Sequence, residues 1–181
     1  MNRKYEFTGE IMECMGRTLH RIRAVRDFGD VKAGDLGGWI ETESNLSNDG
    51  NAWVYGNARV YGNAWVSGNA RVYGNARVYG NADVYGNAWV SGNAWVSGNA
   101  MVYGRKHILW ISMIGSRDDT VTFMRAKDEK IIVAVGCFVG TIEEFEKQVD
   151  VTHGDNEHGK AYRLAIELAK LRIDLDKEET K

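Results

Sequence analysis

The sequence predicts a mainly β chain: a short parallel β-solenoid of three coils between an N-terminal β cap and a small C-terminal α+β domain. Three observations predict it. Nine copies of N-A-x-V-[Y/S]-G run without a break from Asn51 to Gly104. Their six-residue period suits strands and corners and no helix. The flanks abandon the period, with strand-like alternation before it and strands followed by helical patterns after it.

Each element follows from its residues. In a helix of about 100° per residue, successive valines would turn by roughly 240° and never share a face. A glycine every sixth position would also cost about 1 kcal/mol each inside a helix. Within a unit, Ala-x-Val-Tyr/Ser alternates as a strand, with Ala and Val on one face. Gly-Asn makes the corner, because these residues tolerate positive φ. Nine antiparallel strands of about four residues would form an open sheet with two long edges and little to bury. A solenoid of three units per coil closes its apolar face on itself and pairs each strand with those 18 residues away.

That stacking sorts the variable slots into three outward walls. Trp53, Arg71 and Trp89 fall on one, Arg59, Arg77 and Trp95 on the second, and Trp65, Asp83 and Met101 on the third. Beside them run the columns Tyr55-Tyr73-Ser91, Tyr61-Tyr79-Ser97 and Ser67-Tyr85-Tyr103. All are expected to face away from the Ala/Val interior. An arginine stacked between two tryptophans suits cation–π contact. Exposed aromatic surface on three walls points to an interface, so Trp53, Tyr55, Arg59, Tyr61, Trp65, Arg71, Tyr73, Arg77, Tyr79, Trp89 and Trp95 are the candidate binding residues.

Both ends of the stack need caps. Residues 1–50 supply the first. Ile40 and Leu46 keep the six-residue step in an imperfect first coil, Thr18–Val25 alternates as a strand, and Trp39 is expected to plug the mouth of the tube. Residues 105–181 supply the second. Strands are expected at His107–Ile114, Thr120–Ala126 and Lys130–Phe138, followed by a helix that Thr141-Ile-Glu-Glu144 opens as a capping box and that ends near Val149. A second helix is expected over Glu157–Leu175. It carries two stripes, Ala161-Leu164-Leu168-Leu171-Leu175 and Tyr162-Ala165-Ile166-Ala169. One stripe suffices for packing on the local sheet; the second fits self-association or, more commonly, one wide buried face.

Read from valine, Val60-Tyr-Gly-Asn-Ala-Trp65 resembles the hexapeptide repeat of left-handed β-helix proteins. The flanks Leu19–Glu41 and Ile114–Asp155 resemble uncharacterised phage and prophage members of that group. The resemblance implies a left-handed coil and assembly as a homotrimer with prisms side by side. It also implies a bacterial host cell as the setting, and a host protein or nucleotide as ligand.

Composition limits the alternatives. With 23 basic and 25 acidic side chains spread evenly, the chain has no general grip on nucleic acid. No run approaches the roughly 18 apolar residues of a membrane span, and the first ten residues lack a signal-peptide core. Cys14 and Cys137, far apart, read as idle thiols of a reducing cytoplasm. Many hexapeptide-repeat proteins are acyltransferases, and the resemblance implies that such chemistry needs a His near a subunit boundary, a protruding loop and a tall prism. Here the nine units contain no His and no insertion. His153, Asp155, Glu157 and His158 cluster in sequence but match no metal motif and are better read as an inter-helix turn. No phosphate-binding or dinucleotide motif is present. The reading is therefore a non-catalytic binding protein without cofactor or metal, with an acyltransferase-like enzyme as the alternative.

Overall fold

The computed structural model describes residues 3–176. The chain opens with β1 (Tyr5–Cys14) and β2 (Arg17–Ala24), an antiparallel pair, then β3 (Leu36–Ile40). Nine two-residue strands follow at intervals of six: β4 (Trp53–Val54), β5 (Arg59–Val60), β6 (Trp65–Val66), β7 (Arg71–Val72), β8 (Arg77–Val78), β9 (Asp83–Val84), β10 (Trp89–Val90), β11 (Trp95–Val96) and β12 (Met101–Val102). Then come β13 (Ile108–Ile114), β14 (Asp119–Arg125), β15 (Ile131–Val135), β16 (Phe138–Thr141), α1 (Ile142–His153) and α2 (Glu157–Arg172).

The nine short strands pair in parallel at steps of 18 residues, in the orders β4-β7-β10, β5-β8-β11 and β6-β9-β12. Three backbone bonds per unit hold neighbouring coils, as where Asn69, Arg71 and Tyr73 donate to the carbonyls of Gly86, Ala88 and Val90 at 2.9–3.0 Å. Every repeat Ala and Val is at most 1% exposed, so the lumen is filled by small apolar side chains. Three regular coils are present, and a fourth, imperfect one precedes them: Ile40 pairs with Val60, and Leu46 with Val66.

Side chains replace the backbone donors that this irregular coil lacks. The Lys4 ammonium donates to the Ala52 carbonyl at 2.8 Å. The Asn45 amide donates to the carbonyls of Gly62 and Ala64 at 3.0 and 2.9 Å. Tyr5, Ile22, Ala24, Phe28 and Val31 continue the lumen core upward. Contrary to expectation, Trp39 does not plug the tube: it sits outside, above Arg59 in the second wall and packed with Cys14, Leu19 and Tyr61, because Ile40 takes the inward position. β1 has no counterpart in the sequence reading; its alternation is broken at a bulge between Phe7 and Ile11, where Gly9 has φ +91°.

At the other end β13–β16 form an antiparallel sheet in chain order across the open coil. Ile108, Met124, Ala126, Ile132 and Ala134 on one face join the lumen core. The Thr122 hydroxyl accepts the Trp95 N–H at 3.0 Å, and His107 Nδ1 accepts the Tyr103 N–H at 3.2 Å. The other face, with Val121, Phe123, Ile131 and Val133, packs on Phe145 and Val149 of α1 and on Tyr162, Ala165, Ile166 and Ala169 of α2.

Two expectations change here. Lys130–Phe138 is not one strand, because Gly136 at φ +55° turns the chain into β16. On α2 the Tyr162/Ala165/Ile166/Ala169 stripe does the packing, whereas Leu164, Leu168 and Leu171 are 73%, 42% and 82% exposed. The predicted capping box forms as written, Thr141 Oγ1 accepting from the Glu144 N–H and Glu144 accepting from the Thr141 N–H.

Candidate functional site

The structure builds the three columns of variable residues with the expected membership, but it does not leave them equally open. On the first wall Trp53 is 1% exposed. Its ring makes edge contacts with Phe28 and Tyr5 at centroid distances of 5.3 and 6.3 Å, so it belongs to the N-terminal cap and offers no surface. Below it Arg71 lies 5.9 Å from the Trp89 ring, and Tyr73 meets Trp89 edge-on at 5.9 Å and Tyr55 edge-on at 6.5 Å. Arg71 is therefore not sandwiched between two indoles.

The second cation at Trp89 is Arg105, 4.1 Å from the ring centroid. Sequence reasoning stopped at Gly104 and missed it. The signal was available: Asn51, Asn69 and Asn87 are 18 residues apart, and Arg105 is the next step. The three asparagines form an amide ladder along one corner, Asn51 donating to Asn69 at 3.1 Å and Asn69 to Asn87 at 3.3 Å. Ladder, Arg71, Trp89, Arg105 and Gly29 bound a groove of about 410 Å³. Asp30 bonds Arg71 at 2.9 Å from the rim, while among the described residues Arg105 has no ion pair.

On the second wall β1 and β2 cover the upper half. Tyr61 is 4% exposed in a cluster with Cys14, Leu19 and Trp39, and stacks on Tyr79 at 5.2 Å. Arg59 is half-buried there, its guanidinium donating to Cys14 Sγ at 3.7 Å. Arg77 lies 4.8 Å over Trp95, which the C-terminal sheet flanks. On the third wall Trp65 is 45% exposed, Asp83 pairs with Lys127 at 3.0 Å, and Tyr85 stacks on Tyr103 at 5.3 Å. Of the candidate binding residues, Trp53 and Tyr61 are thus withdrawn into cap packing. Buried aromatics are drawn there because the cap strands need apolar surface to lie on.

Burial dominates the titration of these phenols. It pushes Tyr61 up to about 12, and Tyr55 likewise, with the Asp30 carboxylate adding to the effect at Tyr55.

A separate cleft of about 230 Å³ lies in the C-terminal region, lined among others by Asp119, Cys137, His153 and Tyr162. His153 and His158 approach to 5.8 Å between ring centroids. Asp155, however, turns away to Arg163 at 3.1 Å. Among the described residues no three His, Cys, Asp or Glu side chains converge as a metal site.

Fold and surface define a class: a repeat β-helix protein with capped ends and laddered corners. Comparison with known proteins agrees with this at the level of the repeat. The model of the YdcK beta solenoid repeat matches residues 52–68, 70–83 and 82–98. Over 37 residues the chain is 51% identical to the uncharacterized acetyltransferase YdcK of Escherichia coli (strain K12), which is 20% of this chain. The match spans 11% of that relative's length.

Proposed function

We propose that this chain is a non-catalytic binding protein whose solenoid holds an anionic, ring-bearing ligand, a nucleotide, in the corner groove at Trp89. The observation that carries the reading is the pair Arg71 and Arg105 on one indole beside a ladder of amides. Arg105, fixed against the indole, presents its donors to a phosphate with little further ordering, and Arg71 is held on the same ring by the Asp30 carboxylate, with its remaining N–H groups left for the ligand. The amide ladder supplies donors and acceptors for a polar base or sugar. Because the groove sits on a stack of hydrogen-bonded coils, its geometry is preorganised.

On the resemblance of the sequence to phage and prophage members of the left-handed hexapeptide class, we further propose that the ligand is a host component met in a bacterial cytoplasm. The wall that carries the exposed Trp65 is the face we propose for the homotrimer that the same resemblance implies.

Titration calorimetry with nucleoside monophosphates and with inorganic phosphate tests the groove. Binding should weaken as salt rises and should fall at least about tenfold in Arg71→Ala/Arg105→Ala, the loss of one charge-assisted contact being worth about 1.5–3 kcal/mol. Nucleotide affinities that the double variant leaves unchanged would remove the reading.

The second reading is an acyltransferase-like enzyme, favoured by the name of the YdcK relative alone. The C-terminal cleft would then hold the base. Acetyl-coenzyme A turnover that His153→Ala abolishes would establish it in place of the first.

A further inference from the structure

We infer that the Trp89 groove continues into a second pocket at Trp110, and that the ligand spanning both is a 5′-phosphorylated dinucleotide. The inference rests on the nucleotide reading of the groove and adds a half of the site that this reading leaves out.

The second pocket holds about 350 Å³ and is bounded by Arg105, Lys106 and Arg172, with Ile108, Leu109 and Trp110 as its apolar part. Arg105 also bounds the Trp89 groove, so one guanidinium-bearing side chain separates the two spaces. Three cations meet here without a counter-ion. No acidic side chain lines the pocket, and among the described residues neither Lys106 nor Arg172 has an ion pair. Cations gathered in this way repel one another, and a bound phosphate relieves the repulsion while taking charge-assisted hydrogen bonds.

The two spaces lie at opposite edges of one wall. From Trp89 the chain runs to the corner at Gly92, three residues of extended backbone or about 10 Å. The Trp110 indole sits at that corner, its Nε1 3.3 Å from where a Gly92 Cβ would stand. Sheet pairing puts Trp110 on the side of the solenoid, since its partner Thr122 accepts the Trp95 N–H. Arg105 is placed between the two edges by a 3-10 turn, Arg105–His107, and by its contact with the Trp89 ring at 4.1 Å. The Lys106 carbonyl accepts the Asp174 N–H at 2.9 Å, which ties that turn to the segment after α2.

A mononucleotide fills one of these spaces; two nucleosides joined at Arg105 fill both. The first lies along the Asn69 and Asn87 amides, and the linking phosphate falls to Arg105. The second base stacks on Trp110. Lys106 and Arg172 take the remaining phosphate. Carboxylates end the track on both sides. Asp30 stands on Arg71 at the far rim, and Asp174 and Asp176 follow the second pocket. A longer polyanion would run onto these acids, which limits the ligand to two nucleotides.

Titration calorimetry with AMP, with the dinucleotide pApA and with a longer oligoadenylate tests the inference. The dinucleotide should bind at least about tenfold more tightly than AMP, the gain coming from one stacked base and one more phosphate. Lys106→Ala/Arg172→Ala removes two exposed side chains and should keep the circular dichroism spectrum. It should return pApA to the affinity of AMP and leave AMP within about twofold, because neither residue touches the groove. Trp110→Leu should remove part of the same gain. Arg71→Ala should weaken both ligands, which separates the groove from the pocket. A dinucleotide that binds no tighter than AMP, or a gain that survives Lys106→Ala/Arg172→Ala, overturns the inference and leaves the nucleotide reading of the groove standing. An oligoadenylate that binds far more tightly than pApA overturns it in favour of a single strand. Failure of AMP and pApA alike to bind removes both readings.

Discussion

At the scale of single residues, the corner glycines show how the period is enforced. Gly68 has φ +66°, where a side chain is strained, and a Cβ there would lie 2.9 Å from the Gly86 nitrogen in the next coil. Gly56 has φ +57°, but a Cβ there would meet nothing within 4 Å. Gly56→Ala therefore meets backbone strain alone, about 1–2 kcal/mol. Gly68→Ala meets that strain and a backbone clash that no rotamer relieves, so it should lower the urea midpoint clearly further. Equal losses in the two variants would contradict the stacking of corners. The glycine at each sixth place was legible in the sequence because this requirement recurs identically. The fate of the indoles was not: Trp53 and Trp65 occupy the same slot of the first and third units, yet one is 1% and the other 45% exposed. What covers Trp53 is Phe28 and Tyr5, residues distant in the chain.

At the scale of elements, the ends matter more than the middle. Inner coils satisfy each other by repetition, but the first coil's carbonyls depend on borrowed donors. Asn45 serves two of them and receives the Thr42 N–H on its own carbonyl at 2.9 Å. Asn45→Ala leaves two carbonyls unpaired at a buried site, which costs about 1–3 kcal/mol for each group. Asn45→Asp should be worse, because its carboxylate has no hydrogen to donate and faces both carbonyls. Differential scanning calorimetry checks the order wild type, Ala, Asp. The regular strands and the Thr141 capping box could be read in advance since their partners are local or fixed by the period. β1 and β16 could not, because a bulge at Gly9 and a turn at Gly136 interrupt their alternation.

At the scale of the whole molecule, one apolar core runs from the N-terminal strands through the lumen to the C-terminal sheet, and a second lies beneath the two helices. Charge buried at the upper end of the first makes stability depend on pH. Burial, with repulsion from Arg26, lowers Lys4 from 10.5 to about 8. The unfolded chain thus holds this proton more firmly, and stability should rise as pH goes from about 8 towards 10.5. Burial, with the Glu43 carboxylate, raises Tyr5 from 10.0 to about 12, and its hydroxyl donates to the Leu46 carbonyl at 2.9 Å. Here the folded state holds the proton more firmly, so stability should fall above pH 10, with Tyr55 and Tyr61 acting in the same direction. Urea unfolding across this range should show a maximum near pH 10. Lys4→Met should flatten the rising limb and leave the fall.

The sequence by itself determined the solenoid: the coil of 18 residues, the Ala/Val lumen, the membership of each wall and the rungs of each corner. It could do so because a six-residue repeat places every unit in the same surroundings, so one local solution is multiplied. Only the tertiary structure decided which walls are roofed by the caps, which cations reach the Trp89 ring, and which stripe of α2 stays bare. Those outcomes rest on contacts between segments that obey no common period, and their burial depends on where each segment comes to lie.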